Sequence, residues 1–234
     1  MSSDFRLKDY TFAPLEIVIV VFSLLPFLIS AFFYNEMPAQ IPAFLQLDGS
    51  VVRWIEKSPL SAFRLPLMAF LMQIIALIVK WNAVVSPVKS GDEEFERMQE
   101  QSVRFNTRLW DCLRTLIALK IGGTAMIIVF LSVERLNFLS APVFWATSIS
   151  AFAAFGYGLY NRYRLRELKK QIHLSFGGQK TRFDERRVYG GIFYFNPQDP
   201  SVFAGKHVFN FGNPLVYVFL ICAAAYPLMV LSAV

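Results

Sequence analysis

The chain is poor in the residues that build metal centres and covalent catalysis. Its 234 residues include two cysteines, Cys112 and Cys222, and two histidines, His173 and His207. No His-x-His, His-Glu-x-x-His or Cys-x-x-Cys spacing occurs, so the common zinc and thiol-redox motifs are missing. The cysteines fall at different depths of the apolar segments, Cys112 at a helix end and Cys222 inside one, which argues against a disulfide. The Gly-Gly pairs at 177–178 and 190–191 are too sparse to cradle a phosphate. No nucleophile stands beside a base. The chain is therefore expected to be non-enzymatic, with no catalytic residue, cofactor or metal. Charge is scarce too, at 17% of residues.

What fills the chain instead is apolar. Hydrophobic residues make up 55% and aromatics 16%, and the mean hydropathy is +0.44. Several runs reach about 20 apolar residues, enough to cross a hydrocarbon core of about 30 Å. The expected fold is an all-α integral membrane protein with about five transmembrane helices and a small cytoplasmic β-hairpin-like segment. The spans are expected at 14–34, 63–85, 109–133, 139–160 and 213–234. Region 1–160 would hold the first four spans, a structured outer loop at 35–62 and a cytoplasmic helix at 91–108. Region 161–212 would be a basic helix extension and an aromatic segment, and 213–234 the last span. The first run is too long for a signal-peptide core and is expected to be retained. Pro14 suits a first helical position, and Pro26 predicts a kink. Lys80 and Trp81 are expected as an interfacial pair closing the second span.

Basic residues set the orientation. The side holding the N-terminus, the 86–108 loop and the 161–212 segment carries about eighteen Lys and Arg, and the other side about four (Arg53, Lys57, Arg64, Arg135). The expected location is a bacterial inner membrane, with the N-terminus cytoplasmic and Val234 at the outer face. Gly91-Asp92-Glu93-Glu94 opens a helix, since acidic residues favour a first turn. Phe95, Met98, Ser102, Phe105 and Leu109 then recur at helical spacing, predicting an amphipathic helix that packs on the bundle or membrane surface, or docks a partner. In the fourth span Ala146, Ser150, Ala154 and Gly158 form a small-residue stripe, for internal packing or for a homodimer or other protein partner. Arg162 to Lys170 form a basic face that anionic lipid would attract, or simply a topology signal. Nothing resembles a nucleic-acid recognition module.

Two buried-charge candidates stand out. Lys120 lies within the third span, where it must snorkel or pair. By depth Glu16 is its expected partner, with Gln73 and Asn82 as further polar groups of a cavity.

The loop after the first span carries Pro38, Ile41-Pro42, Asp48-Gly49, Trp54 and Lys57. The prolines hold Met37 and Ile41 extended, and Asp48-Gly49 signals a tight turn. This pattern, directly after a first membrane helix, resembles the domain of unknown function found in SdpI-type immunity proteins and related small multi-spanning bacterial membrane proteins. Two positions depart from it: Phe44 stands where a His is usual, and Val51 and Val52 occupy the region of a common Asp. A second resemblance lies in Tyr194, Asn196, Pro197, Asp199, Pro200, Asn210, Phe211 and Gly212. They are similar to a short domain of unknown function that accompanies the first in some relatives. Asp199 is expected to bond its own turn rather than Lys206 or His207.

The SdpI-type resemblance implies a protein that binds a peptide or protein ligand, in immunity or signalling. It puts Pro38, Pro42, Asp48, Gly49, Trp54 and Lys57 in the role of ligand contact. The alternatives are an accessory or structural subunit of a larger membrane complex and, less favoured by the lack of an inverted repeat, a small transporter or channel.

Overall fold

The computed structural model describes residues 7–46, 50–87, 91–177, 188–189, 193–204 and 208–231. Most of these are helical: α1 (Ala13–Phe33), α2 (Pro59–Val85), α3 (Glu93–Ile117), α4 (Gly123–Ser132), α5 (Ser140–Phe176) and α6 (Pro214–Leu231). A π-helical turn, Ala118–Gly122, joins α3 to α4 without a break. Four helical stretches are long and apolar enough to cross a membrane: Leu15–Glu36, Pro59–Val85, Glu93–Ser132 and Glu134–Phe176. The last apolar helix, α6, is shorter.

The ends of the helices follow from their caps. Pro59 opens α2, where a missing N–H costs nothing. Behind it Ser58 and Ser61 satisfy each other's main-chain N–H groups at 2.7 and 3.1 Å, a reciprocal cap. Asp92 caps α3 by accepting the Phe95 N–H at 3.0 Å, and Glu93, Glu94 and Glu96 follow in its first turn. Asn213 caps α6 by accepting the Leu215 N–H at 3.0 Å.

The fold is not purely helical. The loop between α1 and α2 holds an antiparallel hairpin, β1 (Gln40–Leu45) and β2 (Val51–Glu56). The aromatic segment holds β3 (Val188–Tyr189), β4 (Phe193–Tyr194), β5 (Phe203–Ala204) and β6 (Val208–Asn210) in the order β3-β4-β6-β5. This corrects the expected hairpin. β4 and β6 run parallel, and β5 pairs with the far side of β6. The Asn196–Pro200 turn therefore does not join paired strands.

The chain divides into two compact units. One contains Met1–Phe12, Ile74–Cys112 and Gly156–Cys222; the other contains Ala13–Gln73, Leu113–Phe155 and Ala223–Val234. The first unit has three small cores. Val84 and Val103 meet Leu7 and Tyr10. Phe95, Leu168 and Ile172 meet Met98, Phe105 and Phe176. Ile78, Val202 and Val216 meet Trp81, Phe203, Phe209 and Phe219, which seats the four-stranded sheet on α2 and α6.

In the second unit Met37, Ile41, Val129 and Val133 form the core, with Phe33, Ile55 and Leu136 against it. The hairpin thus sits on α4. Pro26 lies inside α1 and has no N–H for the Phe22 carbonyl. Gly122 of the π turn approaches that carbonyl so closely that a Cβ there would stand 2.6 Å from its oxygen. Only glycine permits this contact.

Helix α5 is held along a narrow seam. Its buried or partly buried positions include Thr147, Ala151, Ala154, Gly158, Asn161, Leu165, Leu168 and Ile172, spaced alternately by four and three as in a coiled-coil face. Thr147 packs on Gly123, Gly158 on Cys112. The expected small-residue stripe lies only half on this seam. Ala154 and Gly158 belong to it, whereas Ala146 and Ser150 are exposed. Strict four-residue spacing drifts off one helix face because the repeat is 3.6 residues.

Candidate functional site

The hairpin is built to stay rigid. Lys57 donates from Nζ to the main-chain carbonyls of Met37 at 2.7 Å and Tyr34 at 3.4 Å. Its ammonium also lies 5.3 Å from the centre of the Tyr34 ring, a cation–π contact. Lys57 therefore ties the hairpin base to the end of α1. Pro42 is buried and pairs in register with Trp54. Pro38 is exposed. Asp48 and Gly49 lie outside the described residues. Beneath the hairpin, buried Arg64 places its guanidinium 5.7 Å from the Phe44 ring centre and reaches the Ala43 carbonyl at 3.5 Å. The exposed positions include the apolar Phe44 (45% exposed), Trp54 (50%) and Val52 (59%), beside the polar Gln40, Arg53 and Glu56.

The same unit contains a buried polar triad. Arg114 Nη1 donates to Glu16 Oε1 at 2.6 Å, and its Nε donates to Gln73 Oε1 at 3.2 Å. Gln73 Nε2 in turn donates to the Arg114 carbonyl at 2.7 Å. One residue each from α1, α2 and α3 thus closes a loop of charge-assisted bonds. The expected pairing of Glu16 with Lys120 is corrected here. Arg114 takes the carboxylate, and Lys120 lies six residues further along the same helical run, about 9 Å away. Lys120 instead donates to Ser148 Oγ at 2.9 Å and lies 6.0 Å from the Phe144 ring centre.

The other unit holds a second buried ion pair. Lys80 is fully buried in α2, with Nζ 2.6 Å from Asp111 Oδ1 in α3. Lys80 is thus not an interfacial anchor. Asp111 continues a buried polar face of α3 that includes Gln99, Ser102 and Thr107. That face was the overlooked signal: polar residues recur in the helix at turn spacing and need an inward partner. Asn82, expected to line a cavity, accepts the Val202 and Phe203 N–H groups at 2.8 and 2.9 Å. It fastens the four-stranded sheet to α2.

The eight residues of the second sequence pattern converge in one knot. Asn210 is fully buried. Its Nδ2 donates to the carbonyls of Asn196, Asp199 and Ser201 at 2.9–3.0 Å. Its Oδ1 accepts the N–H groups of Asn196 at 2.9 Å and Gly212 at 3.2 Å. Tyr194, buried as well, donates to Asp199 Oδ2 at 3.1 Å and accepts from Asn196 Nδ2 at 3.0 Å. Asp199 Oδ1 accepts the Ser201 N–H at 2.9 Å, so it does bond its own turn. A Cβ on Gly212 would stand 2.6 Å from the main chain at Asn196 and Pro197. Phe211 lies tilted against Phe193, with ring centres 5.3 Å apart. Pro197 and Pro200 bracket the turn, and the Pro200 carbonyl accepts from Asn213 Nδ2 at 2.7 Å. These polar groups satisfy one another and leave none presented to a ligand. Lys206 and His207 lie outside the described residues.

Arg162, Arg164, Arg166, Lys169 and Lys170 are exposed on α5, as contact with an anionic lipid surface would require. Cys112 and Cys222 are buried free thiols. Among the described residues no group of three or more His, Cys, Asp or Glu could hold a metal ion. Compared with protein-family models, with curated proteins and with solved structures, the chain has no match.

Proposed function

We propose that the chain is a non-enzymatic multi-pass membrane protein of the SdpI-like type, with five spans and a cytoplasmic N-terminus. Its outer hairpin binds a peptide or protein ligand in an immunity or signalling role. One observation carries this reading: the hairpin is locked at its base by Lys57 and by the Met37–Ile41 core, yet leaves Phe44, Val52 and Trp54 open. A preorganised segment loses little entropy on contact, and aromatic side chains on a rigid support are common anchors of binding energy. Lys57 acts in this scheme as a brace, not as a ligand contact.

The test is recovery of the N-terminally tagged chain from its native membrane in mild detergent, beside a Phe44→Ser/Trp54→Ala variant. The reading expects one small peptide or protein to accompany the wild type and to be lost from the variant. A large stoichiometric assembly that the variant retains would instead favour an accessory subunit.

A further inference from the structure

Lys120 poses a problem that the hairpin does not address. It is exposed on the protein surface, and among the described residues its side-chain hydrogen bond goes to the neutral Ser148. Among the described residues no carboxylate lies within ion-pair distance of it. Glu134 and Arg135 mark the outer end of the helices on either side. Lys120 is twelve residues from the end of α4 at Ser132, about 18 Å, and Ser148 is eight residues from the start of α5, about 12 Å. Half of a hydrocarbon core is about 15 Å. The ammonium is thus held near the middle of the bilayer, on a lipid-facing surface, and directed at Ser148 rather than at a helix end. An ammonium there is costly unless a counter-charge meets it.

The chain's own apolar segments do not supply that counter-charge. The five apolar segments contain two acidic residues, Glu16 and Asp111. Glu16 is held by Arg114 and Asp111 by Lys80. A second copy would bring the same two residues, already engaged. The surface around Lys120 is otherwise suited to a helix. Trp145, Ile149 and Phe152 of α5 are all more than 60% exposed beside it.

We propose that the Lys120–Ser148 face docks a transmembrane helix of another protein, one that carries a single carboxylate near its midpoint. The carboxylate pairs with the Lys120 ammonium, and Ser148 holds the lysine in the docking geometry. This inference rests on the membrane reading, not on the outer-hairpin reading, and goes beyond it.

The test uses the full chain in phosphatidylcholine vesicles with a fluorescent donor. The probes are acceptor-labelled poly-leucine transmembrane peptides bearing Glu, Gln or Leu at the midpoint. Energy transfer should show the Glu peptide binding about tenfold tighter than the Leu peptide, with Gln between. Lys120→Met should abolish the gain, and Lys120→Arg should keep it. Moving the Glu to one turn from either peptide end should also remove it. Equal binding of the three peptides to the wild type overturns the proposal, whether or not a variant folds. So does a gain that survives Lys120→Met. Association of two labelled copies without peptide, lost in Lys120→Met, would put a second copy on this face and also overturn it.

Discussion

Replacing Lys80 by Met removes one half of an ion pair that the fold buries completely. Lys80 is fully buried, and the Asp111 side chain is 8% exposed. Water cannot reach in to solvate the carboxylate that is left. Stranding one charge of a buried pair costs about 3–5 kcal/mol. At about 1.4 kcal/mol per factor of ten, the ratio of folded to unfolded protein should fall between a hundredfold and several thousandfold. Asp111→Leu should cost as much for the opposite reason, a buried ammonium that has lost its carboxylate. The double variant Lys80→Met/Asp111→Leu removes both charges and fills the space with apolar atoms. It should return to within about 1 kcal/mol of wild type, or exceed it, since an apolar replacement of a buried pair is often neutral or stabilising. Reversible unfolding in mixed micelles, followed by tryptophan fluorescence, measures all four proteins in one cycle. Two results would refute the reasoning. Single variants within about 1 kcal/mol of wild type would mean the pair is solvated and of little worth. A double variant as unstable as the sum of the singles would mean the two charges do not meet.

Two further perturbations test the packing. Asn210→Ala strands the carbonyls of Asn196, Asp199 and Ser201 and two N–H groups, at about 1–3 kcal/mol for each buried group left unsatisfied. The sheet at 188–210 should therefore become sensitive to protease, and Gly212→Ala should reproduce the effect by steric clash with the main chain of Asn196 and Pro197. Gly122→Ala should lower the thermal midpoint in mild detergent, because its Cβ would displace the Phe22 carbonyl. An unchanged midpoint would show that α1 yields there without cost.

The helices were legible because length and apolar content define them. The cap residues before α3, at Gly91-Asp92-Glu93-Glu94, mark its start in the sequence as they do in the fold. The hairpin was legible only as extended chain. Pro38 and Pro42 announce extended geometry, but pairing depends on a register between residues 40–45 and 51–56 that no local propensity encodes. Charge partners were the least legible. Lys80 beside Trp81 reads as an interfacial anchor until Asp111, thirty-one residues on, is seen to face it. Position along the spans puts Lys120 and Glu16 in the same half of the membrane, but Lys120 lies six residues, about 9 Å, beyond Arg114, which holds the carboxylate. A count of flanking positive charges treats Arg114 as a topology signal. The Tyr194–Gly212 residues were recognisable as a pattern, yet whether they hold one another or a ligand is decided by hydrogen-bond geometry alone.

The seam of α5 makes phase, rather than composition, the quantity this helix must conserve. Its open positions can exchange one bulky apolar residue for another with little effect on the contacts that hold it. A single inserted residue between Ala151 and Gly158 is different. It would turn the downstream half by about 100°, carry Gly158 away from Cys112, and drive an aromatic neighbour into a space where a Cβ would already touch Cys112. Leu168 and Ile172 would leave Phe95 in the same rotation. The length of α5 is thus fixed as tightly as any single residue in it, although most of its surface is free to vary.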